Sequence, residues 1–254
     1  MQPRLSLLLS ILFSLPIMTA LGLQAAAAEK AHIAVAANFI EPARNLVKRL
    51  EASSEHRYTI SFASTGQLTA QIMQGAPYDV LLAADDEHPA KLIGQELALK
   101  ATRFTYARGR LALWAGGTPI SPEMLRANPP QSFAIANPET APYGRAALQS
   151  LEKLKLADLL SSRLVKGNSV AQTFQFIASG NAGAGIVALA QLHDQPRASY
   201  WPVPAALHDP IIQDAVLLAR AADNAAALAF LTFLKSAEAR AIITGFGYDI
   251  GGGV

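Results

Sequence analysis

The stretch HIAVAANFIEPARNLVKRLEA, residues 32–52, decides the fold class. Its first five residues, HIAVA, form a short β-rich run, and from residue 39 apolar positions recur at helical spacing, so a strand should pass directly into a helix. The pattern returns along the chain. Residues 58–62 (YTISF) read as a strand before a helix at 67–74, and residues 79–83 (DVLLA) as a strand before a short helix at 88–95. Further on, 111–115 (LALWA), 133–136 (FAIA), 185–189 (GIVAL) and 215–219 (AVLLA) read as strands, and 143–154, 171–179, 224–236 and 238–244 as helices, the last stopped by Gly245 and Gly247. Alternation of this kind implies an α/β protein, a parallel sheet with helices on both faces.

Two extended-looking segments, 103–110 and 208–214, flank the middle of the chain and are suited to cross between two lobes. On that division residues 29–107 with 213–254 make the first lobe and 108–212 the second; one continuous sheet is the alternative. A chain of 254 residues, 51% hydrophobic and 16% charged, is long enough for one large domain or two lobes of roughly 100–120 residues.

Residues 1–28 stand apart. Arg4 precedes the apolar run LSLLLSILFSLPIMTALGL, and alanines 25–28 close it before Glu29-Lys30. A basic start, an apolar middle and an A-x-A end describe a secretory signal peptide, with an uncleaved anchor as the alternative; Pro16 and the alanines favour cleavage near Glu29 and secretion. Without this segment the chain holds 20 basic and 19 acidic residues, a balance that gives no general footprint for nucleic acid. There is no cysteine, which excludes disulfides, thiol catalysis and a cysteine-linked lipid anchor.

Three strand ends run into small or polar residues where a helix begins: Ala36-Ala37-Asn38, Ser64-Thr65-Gly66 and Asn168-Ser169-Val170. Helix starts carry unpaired N–H groups and the positive end of the dipole, which suits them to anions. Ordinary N-capping explains any one of them equally well. Other candidates are weaker. Asp85-Asp86-Glu87 reads as helix-start acids rather than paired catalytic carboxylates. The histidines at 32, 56, 88, 193 and 208 lack metal-ligand spacing, and no nucleophile elbow or phosphate loop appears. Trp114 and Trp201 read as core or hinge packing.

The stretches AVAANF (34–39), SFASTGQL (61–68), QGAPYDVLLAADD (74–86), RFTYARGRLALW (103–114), IANPETAPYG (135–144), VKGNSVAQ (165–172) and GIVALAQ (185–191) together resemble the periplasmic molybdate-binding proteins, in order along the mature chain. The ASTGQ and NPxTAPYG segments are the most specific. The resemblance implies a type II periplasmic binding protein: two α/β/α lobes joined by a hinge, no enzymatic activity and no cofactor. The ligand is molybdate or tungstate, held between the lobes for delivery to an inner-membrane ABC permease, by a protein that is a monomer. It implies contacts to the oxyanion, not to the metal atom itself, from Ala37, Asn38, Ser64, Thr65, Tyr143 and Val170. Ala188 stands where some members have a tyrosine, and Tyr143 marks the branch in which that residue reaches the ligand instead. Arg145 departs from the pattern: it is either a solvated helix charge or a cation turned into the cleft. Another tetrahedral oxyanion (sulfate, phosphate or thiosulfate) is the alternative ligand. A periplasmic hydrolase or transferase lacks its nucleophile–base pair, and a cytoplasmic ligand-sensing regulator lacks a DNA-binding segment.

Overall fold

A computed structural model describes residues 28–250; the signal-peptide assignment lies outside them except for Ala28. The chain begins with β1 (Lys30–Ala36), α1 (Ile40–Glu51), β2 (Arg57–Ala63), α2 (Thr65–Met73), β3 (Val80–Leu82), α3 (Glu87–Gly94) and β4 (Phe104–Gly109). A single residue, Arg110, separates β4 from β5 (Leu111–Trp114). There follow α4 (Pro122–Ala127), β6 (Phe133–Ala136), α5 (Pro142–Lys153), α6 (Ala157–Leu160), β7 (Leu164–Gly167), α7 (Val170–Ala178), β8 (Ala184–Ala188) and β9 (Tyr200–Pro202). The chain returns through β10 (Ile211–Leu217) and ends in α8 (Ala225–Leu234) and α9 (Ala237–Gly245).

The strands form two five-stranded sheets, ordered β2-β1-β3-β10-β4 and β7-β6-β8-β5-β9. The single continuous sheet is therefore excluded, and so is a purely parallel one. In the first sheet β1 pairs parallel with β2 and β3, whereas β10 runs antiparallel to both β3 and β4. In the second, β6 pairs parallel with β7 and β8, whereas β5 runs antiparallel to β8 and β9. The antiparallel member of each sheet is the strand that has just arrived from the other lobe. Segments 103–110 and 208–214 thus include strand as well as crossing: β4 takes most of the first, and β10 begins inside the second at Ile211.

Both lobes are three layers deep, because alternate strand residues face opposite helices. Ile33 and Val35 of β1 pack with Leu46 of α1 and Phe230 of α8, while Ala34 between them packs with Leu68 of α2 and Leu92 of α3. In the second lobe Leu111 and Leu113 of β5 join Ala147 and Leu151 of α5, and Ala112 and Trp114 join Ile177 of α7. Trp114 is core, stacked on Phe174 with centroids 4.7 Å apart. Trp201 is half-buried at the edge of the α5 cluster. Burial on both faces is why these strands read as continuous apolar runs.

The start of α5 lies hard against the end of β6, and Gly144 makes this possible: a Cβ there would overlap the Ala136 carbonyl. The neighbour is backbone and cannot rotate away. Gly144→Ala should lower the melting temperature by on the order of 5 °C, from about 1–3 kcal/mol of overpacking. Gly94→Ala, with no atom within 4 Å of the added methyl, should leave it unchanged or raised. Circular-dichroism melts of the two variants check this.

Candidate functional site

Four helix starts face one hollow between the lobes. Its walls are Ala36, Ala37, Asn38, Ser64, Thr65, Ala84, Ala141, Pro142, Tyr143 and Val170. All six residues singled out from the sequence are among them. The short 3-10 turn Ala37–Phe39 leads into α1, Thr65 opens α2, Pro142 and Tyr143 open α5, and Val170 opens α7. The first residues of a helix have no intrahelical partner for their N–H, so backbone donors converge from both lobes with four positive dipole ends behind them. No wall residue carries a charge. The free volume is about 10 Å³, near the room one water needs and far below the roughly 300–1,000 Å³ of pockets for drug-sized ligands. At this volume it excludes any drug-sized organic ligand.

The side chains divide into those free to donate and those already engaged. Thr65 Oγ1 accepts the N–H of Ala84 at 2.9 Å, which leaves its own proton to be donated. The Ser64 hydroxyl donates to Gln67 Oε1 at 2.9 Å, which also accepts the Ser64 N–H at 3.1 Å, so Ser64, at the N-cap position of α2, is engaged by Gln67. Ser169, not Val170, caps α7, its Oγ accepting from Gln172 N at 3.3 Å. Both amide hydrogens of Asn38 are engaged, one with Gln213 Oε1 at 2.8 Å and one with Tyr248 Oη at 3.0 Å. Tyr143 likewise turns its hydroxyl away, accepting from Gln213 Nε2 at 3.0 Å, with Tyr248 beside it. With these side-chain donors engaged, the donors that Asn38 and Tyr143 have left for the hollow are their backbone N–H groups.

Beneath the hollow lies a polar layer that the sequence reading did not single out. Gln213 Oε1 accepts from Asn38 and from Tyr106 Oη (3.0 Å), which fixes its amide with Nε2 facing Tyr143. Tyr248 Oη donates to the Asn38 carbonyl at 2.7 Å. Gly109 leaves space for this: a Cβ there would overlap the Tyr143 hydroxyl. Gln213 is a fully buried polar residue in an otherwise apolar strand, with Asp214 beside it, and two such residues in an apolar run were the available signal. Asp214 is satisfied elsewhere, by Arg103 Nε at 2.6 Å and Thr105 Oγ1 at 2.7 Å.

Across the hollow's rim the lobes touch through backbone. Gly66 N donates to Thr140 O at 3.0 Å, and a Cβ on Gly66 would stand 2.9 Å from that oxygen. Arg145 is neither a free surface charge nor a cation in the hollow. It reaches out of the second lobe to Glu87 Oε2 (2.8 Å) and Asp85 Oδ2 (3.2 Å) of the first. Asp85 also serves the start of α3, its Oδ1 accepting from His88 N at 3.1 Å, as the helix-start reading requires.

Burial raises the phenol pKa values of Tyr106, Tyr143 and Tyr248 far above the ordinary value, and the mutual proximity of the rings adds to this for Tyr106 and Tyr143. The three therefore remain neutral hydroxyls in the fold. An unfolded tyrosine loses its proton near pH 10, so the folded state binds more protons above that pH. Its stability is whole below about pH 10 and drains away as pH rises past it. Thermal unfolding should give a level melting temperature between about pH 7 and 9 and a decline above 10; no decline would mean that the layer does not stay protonated.

Comparison with known proteins gives this geometry its context. Residues 31–249 match the family model for bacterial extracellular solute-binding proteins. The chain is 43% identical over 237 residues to the molybdate-binding protein ModA of Azotobacter vinelandii, covering 90% of this chain and 94% of that one. It is 40% identical over 243 residues to ModA of Rhodobacter capsulatus, covering 92% and 94%. The solved periplasmic molybdate-binding protein of A. vinelandii superposes with a TM-score of 0.83 at 38% identity, over 87% of this chain and all of that one. The sulfate-binding protein SubI of Mycobacterium tuberculosis shares the fold at a TM-score of 0.70 and 12% identity, over 87% and 86%. With the match spanning both lobes and every helix start at the hollow, the chain belongs to the bacterial extracellular solute-binding protein family, and within it to the group of the molybdate-binding proteins.

Proposed function

We propose that this protein captures molybdate or tungstate in the hollow between its lobes and hands the ion to an inner-membrane ABC permease. The observation that carries the proposal is the convergence of four helix starts on one uncharged hollow. Backbone N–H groups of Asn38, Thr65, Tyr143 and Val170, with the Thr65 hydroxyl, form a cage that only donates; Ala37 and Ser64 complete its wall. Each hydrogen bond to a charged acceptor contributes roughly 1.5–3 kcal/mol, so five supply about 7.5–15 kcal/mol, which spans the ~8 kcal/mol of micromolar binding.

A donor-only cage also selects. A protonated oxyanion turns an O–H toward a donor and finds no acceptor, so hydrogen phosphate is disfavoured. Sulfate satisfies the same donors and is rejected by size, being smaller than molybdate and tungstate. The mobile units are residues 29–107 with 213–254 and residues 108–212, hinged near Arg110 and closing on the ion. Residues 1–28 act as the export signal that delivers a monomer to the periplasm. The similarity to the two molybdate-binding proteins over some 90% of the chain supports the choice of ion.

A thermal-shift and calorimetry panel of molybdate, tungstate, sulfate, phosphate and thiosulfate tests the reading. The first two should raise the melting temperature and bind most tightly; preference for any of the others reassigns the ligand. Val170→Pro isolates one backbone donor. Proline is tolerated at the first position of a helix, and the extended backbone of Ser169 (φ −153°, ψ 166°) already suits a residue before proline. This variant should fold normally yet bind molybdate at least tenfold more weakly, from loss of about 1.5–3 kcal/mol. Unaltered calorimetric affinity would remove α7 from the site.

A further inference from the structure

The ion pairs of Arg145 are, among the described residues, the only ones that join the lobes; every other pair stays within one lobe. Its side chain leaves α5 two residues after Tyr143 and crosses to two carboxylates at the start of α3. Asp85 is buried and already held by His88, through the backbone N–H and through Nδ1 at 2.7 Å from Asp85 Oδ2, so it cannot follow the guanidinium if the lobes part. Glu87 is exposed. The guanidinium lies in an outer groove of about 170 Å³, lined also by Asp86, Gln149 and Asp209. Groove and hollow share Ala84 and Pro142 as walls. The charge is thus placed next to the ion's chamber and outside it.

We propose that Arg145 is a latch: a positioning residue that holds the lobes closed through Asp85 and Glu87 and so sets how long the bound anion stays, without taking part in its recognition. The planar fork of arginine spans two carboxylates in a way a point charge does not. Because the pairs exist only with the lobes together, their whole contribution goes to the closed form, with or without an anion. The latch therefore slows release and leaves the choice among anions unchanged. An arginine that attracted or touched the anion would act on arrival and on selectivity instead.

The consequence for the anion rests on the binding function proposed above; the latch itself does not, and two measurements separate them. Stopped-flow kinetics with molybdate should show release from Arg145→Ala about three- to tenfold faster, with association unchanged or faster and the molybdate-to-sulfate preference kept. Arg145→Lys, a point charge that cannot span both carboxylates, should fall between the parent and the alanine variant. Added salt should speed release from the parent more than from the alanine variant. Unchanged release, or slower association at unchanged release, overturns the proposal.

The second measurement needs no anion. The chain has no cysteine, so exposed Met73 of the first lobe and Met124 of the second can be replaced by Cys and spin-labelled. In anion-free protein Arg145→Ala should shift the label–label distance distribution, and Arg145→Glu, which turns attraction into repulsion, should shift it further the same way. A distribution unmoved in both variants overturns the latch even if the anion assignment holds. A shift in a protein that binds none of the oxyanions supports the latch and rejects the ligand.

Discussion

The carboxamide of Gln213 is the point at which the two lobes are registered. It lies in β10, the strand that returns from the second lobe, and its oxygen is gripped by Asn38 and Tyr106 while its nitrogen holds the Tyr143 hydroxyl. A buried amide missing any of these partners would cost about 1–3 kcal/mol, so the arrangement is close to all-or-none. Its members come from the 3-10 turn before α1, from β4, from α5 and, through Tyr248, from the chain's end. The layer thereby fixes where the helix starts above it stand, and those helix starts form the proposed site.

That layer also separates two kinds of electrostatics. Inside the hollow there are only dipoles: backbone N–H groups, helix ends and a hydroxyl, supported from below by phenols that burial keeps protonated. Fixed dipoles in a dry site stabilise a dianion without offering a counter-charge that any anion would accept. Formal charges are confined to the rim, where Arg145 meets its carboxylates. On the proposed reading recognition and closure fall to different residues, although Tyr143 and Arg145 are only two positions apart on α5.

Much of the fold was legible because parallel strands buried on both faces leave long apolar runs, as in residues 32–36 and 133–136, and because helices with one buried face keep their period. The missed elements were short or carried little apolar signal: β7, with Lys166 exposed; the three-residue edge strand β9; the six-residue α4; and the four-residue α6. The antiparallel direction of β5 and β10 could not be read locally, since strand direction is set by the connection between lobes. The hollow was legible residue by residue, yet the roles inside it were not. Asn38 and Tyr143 have ideal donor side chains, and only the positions of Gln213 and Tyr248, 175 and 105 residues further on, show those donors to be taken. Arg145 poses the same problem, since its partners lie 58 and 60 residues earlier.

The contact of Gly66 with Thr140 carries one more implication. Where two halves of a protein meet through side chains, rotamer changes let the final spacing drift by a good part of an ångström. Here they meet peptide to peptide, at 3.0 Å, with no Cβ on Gly66 to intervene. The stop is as stiff as the backbone itself, and the calibre of the chamber behind it is set like the jaw of a gauge. An ion too small for the gap cannot draw the jaws tighter to reach all its donors, and one too large props them apart.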